Sequence, residues 1–358
     1  MTVPEQNSQA IVVTAVELNT PVGLTVEQSA AAIRAGISGF REHPAYVPVA
    51  RESAVGENPV QVASHGRIGE FDRDRLFELI TGPLTTLVEA SGLDRSALAG
   101  GGLYFALPSD DEVIQKCKLR RHFLKRASER LAIPVTKELL GVQTGSTGVY
   151  ALIERAMARM RAGQMNFCII AAVDCYLLHD RLSLYDQNWR LKTDRNPAGF
   201  IPGEAGGVFL LETEGFARQR KSPVLMRIDA VHGGQEPNPV TGEKTSSGSG
   251  LTDAIRPLAE LTENNLPWQW VLSDLNGERY KAYEWGVVLP RLHRFIADNY
   301  HLSHIADVVG DVGAATAAVQ IGCISKAFER GYAPATSALL FAGNDAGKRY
   351  AMTISQMQ

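Results

Sequence analysis

The chain has 358 residues, 45% hydrophobic and 21% charged, with 36 basic against 39 acidic side chains and a formal net charge of −3. These values exclude a disordered chain, a fibrous repeat and a small disulfide scaffold, and they offer no global attraction to nucleic acid or to an anionic membrane. The four cysteines, Cys117, Cys168, Cys175 and Cys323, are far apart and form no CxxC pair. No metal, redox or cofactor use is therefore expected, and free thiols suit a reducing cytoplasm. Residues 1–9 are polar and lack the pattern of a signal peptide. No apolar run approaches the ~20 residues needed to cross a bilayer.

In chain order, the β-branched run 11–16 predicts a strand. Residues 25–35 predict a helix with Val26, Ser29, Ala30 and Ile33 on one face and Gly36 as its stop. Residues 103–107 predict a strand entered through Gly100, Gly101 and Gly102. Segment 116–130 carries seven Lys or Arg, and Val113, Cys117, Leu124, Ala127 and Leu131 give it an approximate apolar stripe. Residues 149–161 predict a helix, 167–173 a strand buried on both faces and 208–212 a further strand. The charged segment 215–221 reads as a linker. Strands follow at 224–229 and 270–274, a helix at 283–300 with Pro290 as a kink or a second start, and a helix at 315–330. Strands at 337–343 and 350–355 close the chain. The loop 233–250, rich in Gly, Ser, Thr and Pro, is either mobile or a cover for a site. Two successive rounds of strand and helix predict an α/β fold with mixed, mainly parallel sheets between helices, in halves 1–220 and 221–358.

Three segments in order carry a resemblance. Residues 13–40 read VTAVELNTPVGLTVEQSAAAIRAGISGF, 199–212 read GFIPGEAGGVFLLE, and 310–316 read GDVGAAT. Together they resemble the β-ketoacyl synthase branch of the thiolase-fold superfamily. The resemblance implies a five-layered αβαβα architecture of two pseudo-duplicated halves. It also implies a homodimer, or a heterodimer with a related chain, made through an edge strand that 167–173 matches by position.

The same resemblance implies a condensing cysteine at a tight turn before a long helix, where the helix N-terminus activates the thiol. Here 141–152 read GVQTGSTGVYAL and place Gly145 at that position. The first condensing histidine falls in LSDLNGER (272–279), which offers Asn276. The second falls at Asp311, and 303–309 lack the lysine found in many members. A carboxylate there repels a developing oxyanion. The chain thus resembles a family member without its condensing residues, and no catalytic residue is expected.

Each remaining feature has two readings. Ser146 is a replacement nucleophile or, more commonly at such a place, an N-cap. Asn276 and Asp311 polarise a carbonyl or satisfy turns. Cys175 is a stray nucleophile or structural. His301 and His304 are a metal pair lacking a third ligand or a surface helix end. Lys116, Lys118, Arg120, Arg121, Lys125 and Arg126 form a docking surface for an acidic protein, such as an acyl carrier protein, or a solvated helix face. Trp268, Trp270 and Trp285 are candidates to fill an old substrate tunnel.

Stand-alone proteins with GFIPGE-like and GDxGAA-like motifs and no triad resemble accessory proteins found beside effectors of bacterial type VI secretion. That resemblance implies a non-catalytic role in holding or loading an effector. Two alternatives stand beside it: an acyl-thioester acyltransferase, decarboxylase or hydrolase working without a covalent intermediate, and a non-catalytic partner of an active ketosynthase.

Overall fold

The computed structural model describes residues 10–48, 58–66, 74–130, 138–261 and 267–357. The polar start at 1–9, read as lacking a signal peptide, lies outside them. Among the described residues twelve strands form: β1 (Ile11–Asn19), β2 (Phe40–Glu42), β3 (Gln61–Ala63), β4 (Gly102–Leu107), β5 (Glu138–Gln143), β6 (Phe167–Cys175), β7 (Glu204–Thr213), β8 (Met226–Gln235), β9 (Trp268–Ser273), β10 (Ile296–His304), β11 (Ser337–Gly343) and β12 (Lys348–Ser355). β2 and β3 make a small hairpin-like pair. The other ten lie in the order β10-β9-β11-β12-β8-β1-β7-β6-β4-β5.

This order contains one pattern twice. Counting strands within each half, β5-β4-β6-β7-β1 and β10-β9-β11-β12-β8 both read third, second, fourth, fifth, first. In each half four of the five strands share a direction and the fifth runs against them. The two patterns meet where Ile11, Val12 and Val13 of β1 pair antiparallel with Ile228, Arg227 and Met226 of β8.

Alternation along the strands explains the layering. On β6, Cys168, Ile170 and Ala172 join a central core, while Phe167, Ile169, Ala171 and Val173 join an outer one. A strand covered on both faces needs an unbroken apolar run, as 167–173 has. The central core holds the helices Gly148–Arg161 and Thr316–Glu329 between strands of both halves. Helix Arg75–Ser91 covers the outer face of the first half. Helices Ser249–Leu261 and Arg279–Arg291 cover that of the second. The result is helix, sheet, helix, sheet, helix. Helix Val26–Ala35 ends at Gly36 as its sequence predicts, at φ +67°, and starts one residue later than expected because Thr25 is its cap, the side chain accepting from the Gln28 amide.

Four expectations need correction. Strand 167–173 is interior, because β6 pairs with β4 on one side and β7 on the other; the sheet ends at β5 and β10. Segment 215–221 is no linker but the short helix Glu214–Arg220, capped by Thr213 and ended by Lys221 at φ +58°. The helix expected over 283–300 starts at Arg279 and stops at Arg291, with Pro290 in its last turn. Residues 296–304 instead form β10, a half-exposed edge strand whose pairing with β9 overrides its weak pattern. His301 and His304 therefore lie on a strand, where an i,i+3 pair points to opposite faces, and His304 pairs with Asp307 at 2.9 Å. The basic segment is two helices, Glu112–Cys117 and Leu119–Arg130, broken at Lys118 with φ 47°. Its buried face is Ile114, Leu119, Phe123 and Ala127; of the expected stripe Ala127 is buried, Val113 and Leu124 are half-buried, and Leu131 lies outside the described residues.

The tightest approach of helix to sheet falls in the GEAGG stretch. A Cβ on Gly206 would lie 2.2 Å from the Leu79 carbonyl oxygen, a backbone atom that cannot step aside. Gly82, on the same helix as Leu79, has nothing within 4 Å of its Cβ position. Gly206→Ala is expected to lower stability by about 1–3 kcal/mol through overpacking. Gly82→Ala is expected to raise it by up to about 1 kcal/mol, as a helix-interior glycine is relieved. Urea denaturation of both variants checks the pair.

Candidate functional site

The residues singled out by sequence meet where the carboxyl ends of β5, β9 and β11 face the turns that open the two central helices. After β5 the chain enters a tight turn, Gly145–Thr147, before helix Gly148–Arg161. Gly145 takes φ +57°, and a Cβ there would sit 3.2 Å from that of Ser109. Ser146 is half-buried and is not an N-cap. Its hydroxyl donates to the Gly343 carbonyl at 3.1 Å, and no backbone N–H of the helix uses its oxygen.

The second turn is built by two of the motifs acting on each other. The Asp311 amide donates to the Ile201 carbonyl at 2.7 Å, and the Gly203 amide donates to the Asp311 carbonyl at 2.9 Å. Gly310 adopts φ +69°, and a Cβ there would lie 2.7 Å from the Ile201 oxygen. The Asp311 side chain accepts from the Gly313 amide at 2.8 Å through one oxygen and from Asn276 Nδ2 at 2.6 Å through the other. Asn276 follows β9 in a turn that Gly277 completes at φ +99°. Its Oδ1 accepts from the Glu278 amide at 3.1 Å, and its Nδ2 also donates to Glu278 Oε2 at 3.0 Å.

The structure thus places Asn276 and Asp311 side by side and uses up both. A primary amide has two N–H donors, and those of Asn276 go to two carboxylates. Neither is free to polarise a carbonyl. The chain of polar contacts continues outward. Glu278 holds Arg190 at 2.7 and 2.9 Å, and Arg190 holds Asp345 at 2.6 Å. Asp274 accepts from Lys281 Nζ at 2.8 Å and from the Gly343 amide at 3.0 Å. Gly343 therefore links the Ser146 turn to the Asn276 turn through its own N–H and C=O. Burial works against the Lys281 charge, but Asp274 and the neighbouring carboxylates hold its pKa above the usual lysine range.

Little space remains. The cavity beside Asn276 and Asp311, lined also by Ser273, Leu275, Ile305 and Thr316, measures about 10 Å³. The cleft next to it, among Arg190, Glu278, Lys281 and Arg349, measures about 20 Å³. Volumes of this size hold about one water each, not an acyl chain. The tryptophans lie in the cores on either side: Trp270 stands edge-on to Phe328, and Trp285 stacks on Phe341 with ring centres 4.7 Å apart.

Sequence reasoning missed the buried partner of the second turn. Asp174, next to last in β6, accepts from the Ala314 amide at 2.9 Å. Its other oxygen takes Arg181 Nη1 at 2.8 Å, and Arg181 Nε reaches Asp111 at 2.9 Å. Both Asp174 and Arg181 are fully buried, and the guanidinium lies over Tyr176 at 4.3 Å. Burial disfavours this cation, but Asp174 and Asp111 keep its pKa above the ordinary arginine value. The available signal was a carboxylate closing an otherwise apolar run.

No described thiol is activated. Cys175 donates to Glu204 at 3.4 Å, a carboxylate already bound by Ser64 and Arg75. Burial and that carboxylate push its pKa well up, and burial does the same for Cys168 and lifts Cys323 to about 12. Among the basic candidates Arg126 is committed to Asp74 at 2.5 Å and lies over Phe77, while Lys116, Lys118, Arg120, Arg121 and Lys125 are exposed. Of the stretch 233–250, residues 233–235 end β8 and 249–250 open helix Ser249–Leu261; in the loop between them Val240 lines the cleft. Buried Glu236 accepts from the amides of Asn238, Ser247 and Gly250 and from the Ser247 hydroxyl, and Tyr280 donates to the Asn238 carbonyl. No helix among the described residues is long and apolar enough to cross a membrane.

No family profile and no curated protein matches the sequence. Solved structures do. The ketosynthase from module 6 of the bacillaene synthase of Bacillus subtilis 168 superposes with a TM-score of 0.80 at 13% identity, over 98% of this chain and 72% of that one. The ishigamide ketosynthase/chain length factor gives 0.79 at 14% identity, over 98% and 100%. The type II PKS acyl-carrier protein in complex with its ketosynthase, AntDE:AntF, gives 0.79 at 13% identity, also over 98% and 100%. The chain has the ketosynthase fold. At these identities the likeness concerns the fold alone, and within it the described site holds the residues set out above.

Two predictions follow from the electrostatics. In the native protein iodoacetamide is expected to leave Cys168, Cys175 and Cys323 unmodified at pH 8 and to reach them only after unfolding, as peptide mass mapping reads out. Burial acts to raise the Glu236 carboxyl, but its donors win and hold it below its ordinary 4.5. A depressed acid stabilises the fold above its unfolded value and loses that contribution as pH falls towards its folded value. Glu236→Gln is therefore expected to cost about 1–3 kcal/mol at pH 7. The gap from the wild type should narrow only below about pH 4.5, which urea melts between pH 3 and 7 check.

Proposed function

We propose that this is a ketosynthase-fold protein that does not condense acyl thioesters and works by binding another protein. The observation that supports this most is the saturation of Asn276: both its N–H groups are spent on Asp311 and Glu278, beside a cavity of about 10 Å³. Gly145 adds that the residue matching the condensing cysteine by resemblance has no side chain. In this reading residues 1–220 carry the vacant turn and the basic docking helix, and residues 221–358 supply Asn276 and Asp311. Its triad-less motifs resemble those of accessory proteins beside secretion effectors, and on that resemblance the role is to hold or load such an effector. A second reading is a non-catalytic partner of an active ketosynthase. The match over the full length of a ketosynthase/chain length factor favours it.

The test is turnover. Purified protein incubated with acetyl, malonyl and longer acyl thioesters of coenzyme A and of acyl carrier protein is expected to release no thiol or carbon dioxide and to gain no acyl mass. Turnover that disappears in Asn276→Ala would overturn the proposal. Gly145→Cys is expected to restore no condensation. The substitution should also cost about 1–2 kcal/mol, since its φ of +57° disfavours any L side chain.

A further inference from the structure

The small pair of β2 and β3 is fastened at both ends. At one end the Ala63 amide donates to the Pro202 carbonyl at 2.9 Å, and the Ser64 hydroxyl donates to Glu204 at 2.5 Å. At the other end residues 43–46 extend the pair: the His43 amide donates to the Val60 carbonyl at 2.8 Å, and the Val60 amide donates to the Tyr46 carbonyl at 3.3 Å. Tyr46 is buried against helix His179–Gln187. Its ring stands edge-on to His179, with centres 5.4 Å apart, and its hydroxyl donates to Asp186 at 3.1 Å. Residues 43–46 thus strap the pair to that helix.

One side chain closes the strap. His43 is 8% exposed, and its Nδ1 accepts from the Ala45 amide at 3.1 Å and from the Tyr46 amide at 2.8 Å. Both donors are backbone N–H groups, so Nδ1 is the unprotonated nitrogen and the neutral ring carries its proton on Nε2. A second proton goes to Nδ1, where it meets two N–H groups head-on. The cation therefore has no place in this turn. The groups that face it do not ease the conflict. Arg41, on β2, adds like charge, and so does His179, on the helix, once it is protonated. The Asp186 carboxylate is occupied by the Tyr46 hydroxyl, and β3, Gln61–Ala63, brings no titratable side chain.

We infer that His43 is a proton-operated latch: neutral, it holds residues 43–46 closed on helix His179–Gln187, and protonated, it releases them and uncovers Tyr46 and Val60. The inference does not depend on the binding role proposed above. Burial, then His179 and Arg41, push the His43 pKa below its ordinary 6.5. The closed strap thus binds fewer protons than the open one. Its contribution is complete above pH 6.5 and is lost as pH falls towards the closed-state value. The device works within the range in which histidine switches act.

The test is hydrogen exchange of the full chain, read by mass spectrometry on the peptide spanning residues 42–48. Each rate is taken relative to the same peptide of the unfolded chain at that pH. Protection is expected to fall about three- to tenfold from pH 7.5 to 5.5. In His43→Asn the amide oxygen stands as many bonds from Cα as Nδ1 does, so it accepts from the same two N–H groups and does not titrate. Its protection is expected to be the same at both pH values. His43→Phe keeps a ring without an acceptor and is expected to be unprotected at both, while the peptide 167–175 from the interior strand β6 stays protected in every variant. Equal protection of the wild type at the two pH values, a pH response that persists in His43→Asn or disappears in His179→Gln, or protection in His43→Phe would overturn the inference. Nitrogen NMR of the wild type with labelled histidine gives a second reading, which decides if His43→Asn is open at both pH values. His43 is expected to show an unprotonated Nδ1 at pH 7.5 and a midpoint below 6.5; a protonated Nδ1 or a midpoint at or above 6.5 contradicts the latch.

Discussion

The hydrogen bond from Asn276 to Asp311, 2.6 Å long, is the contact on which the site depends. It closes the crevice at the carboxyl ends of the strands, the place where α/β sheets ordinarily keep room for a ligand. Through Glu278, Arg190 and Asp345 it continues as one chain of charge-assisted contacts that ties the turn after β9 and the turn after β11 to the loop before β7. Half-buried charges are costly alone, and removing one member leaves the next uncompensated. The chain therefore stands or falls together. Asp174 and Arg181 do the same from the opposite side, holding the Ala314 amide and with it the start of the second central helix.

A fold that fills its crevice with its own side chains has given that volume to stability. A catalytic site of this kind would keep a donor unspent and a nucleophile exposed. Here Ser146 spends its proton on Gly343, Cys168 and Cys175 are buried and Cys323 is half-buried, and Glu236 holds the loop between β8 and helix Ser249–Leu261 by accepting from four donors. The fold by itself does not name the function.

Much of this architecture was legible in the sequence, and the exceptions have a common cause. The run 167–173 announced a strand covered on both faces, yet that same property makes it interior, so it is not the dimer edge. Helix Val26–Ala35 was readable to within one residue because Thr25 and Gly36 act locally. The glycine in the turn before helix Gly148–Arg161 was visible, because Gly145 stands in the sequence itself. By contrast, β10 has a polar, irregular pattern, and only its partner β9 makes it a strand. Helix Glu214–Arg220 is too short to show a periodic face. The ion pairs join residues far apart in sequence, such as Arg190 with Glu278 and Arg181 with Asp111, and no local spacing announces them. Asn276 and Asp311 were each legible as turn residues; that they satisfy each other was not.

The most direct test of the account is a double-mutant cycle on that pair, measured as unfolding free energy in urea for Asn276→Ala, Asp311→Ala and the double variant. If the two side chains are spent on each other, each single variant loses stability and the pair shows a coupling of about 1 kcal/mol or more. Strictly additive effects would mean that the two groups do not hold each other in solution, and the crevice would again be open to a substrate.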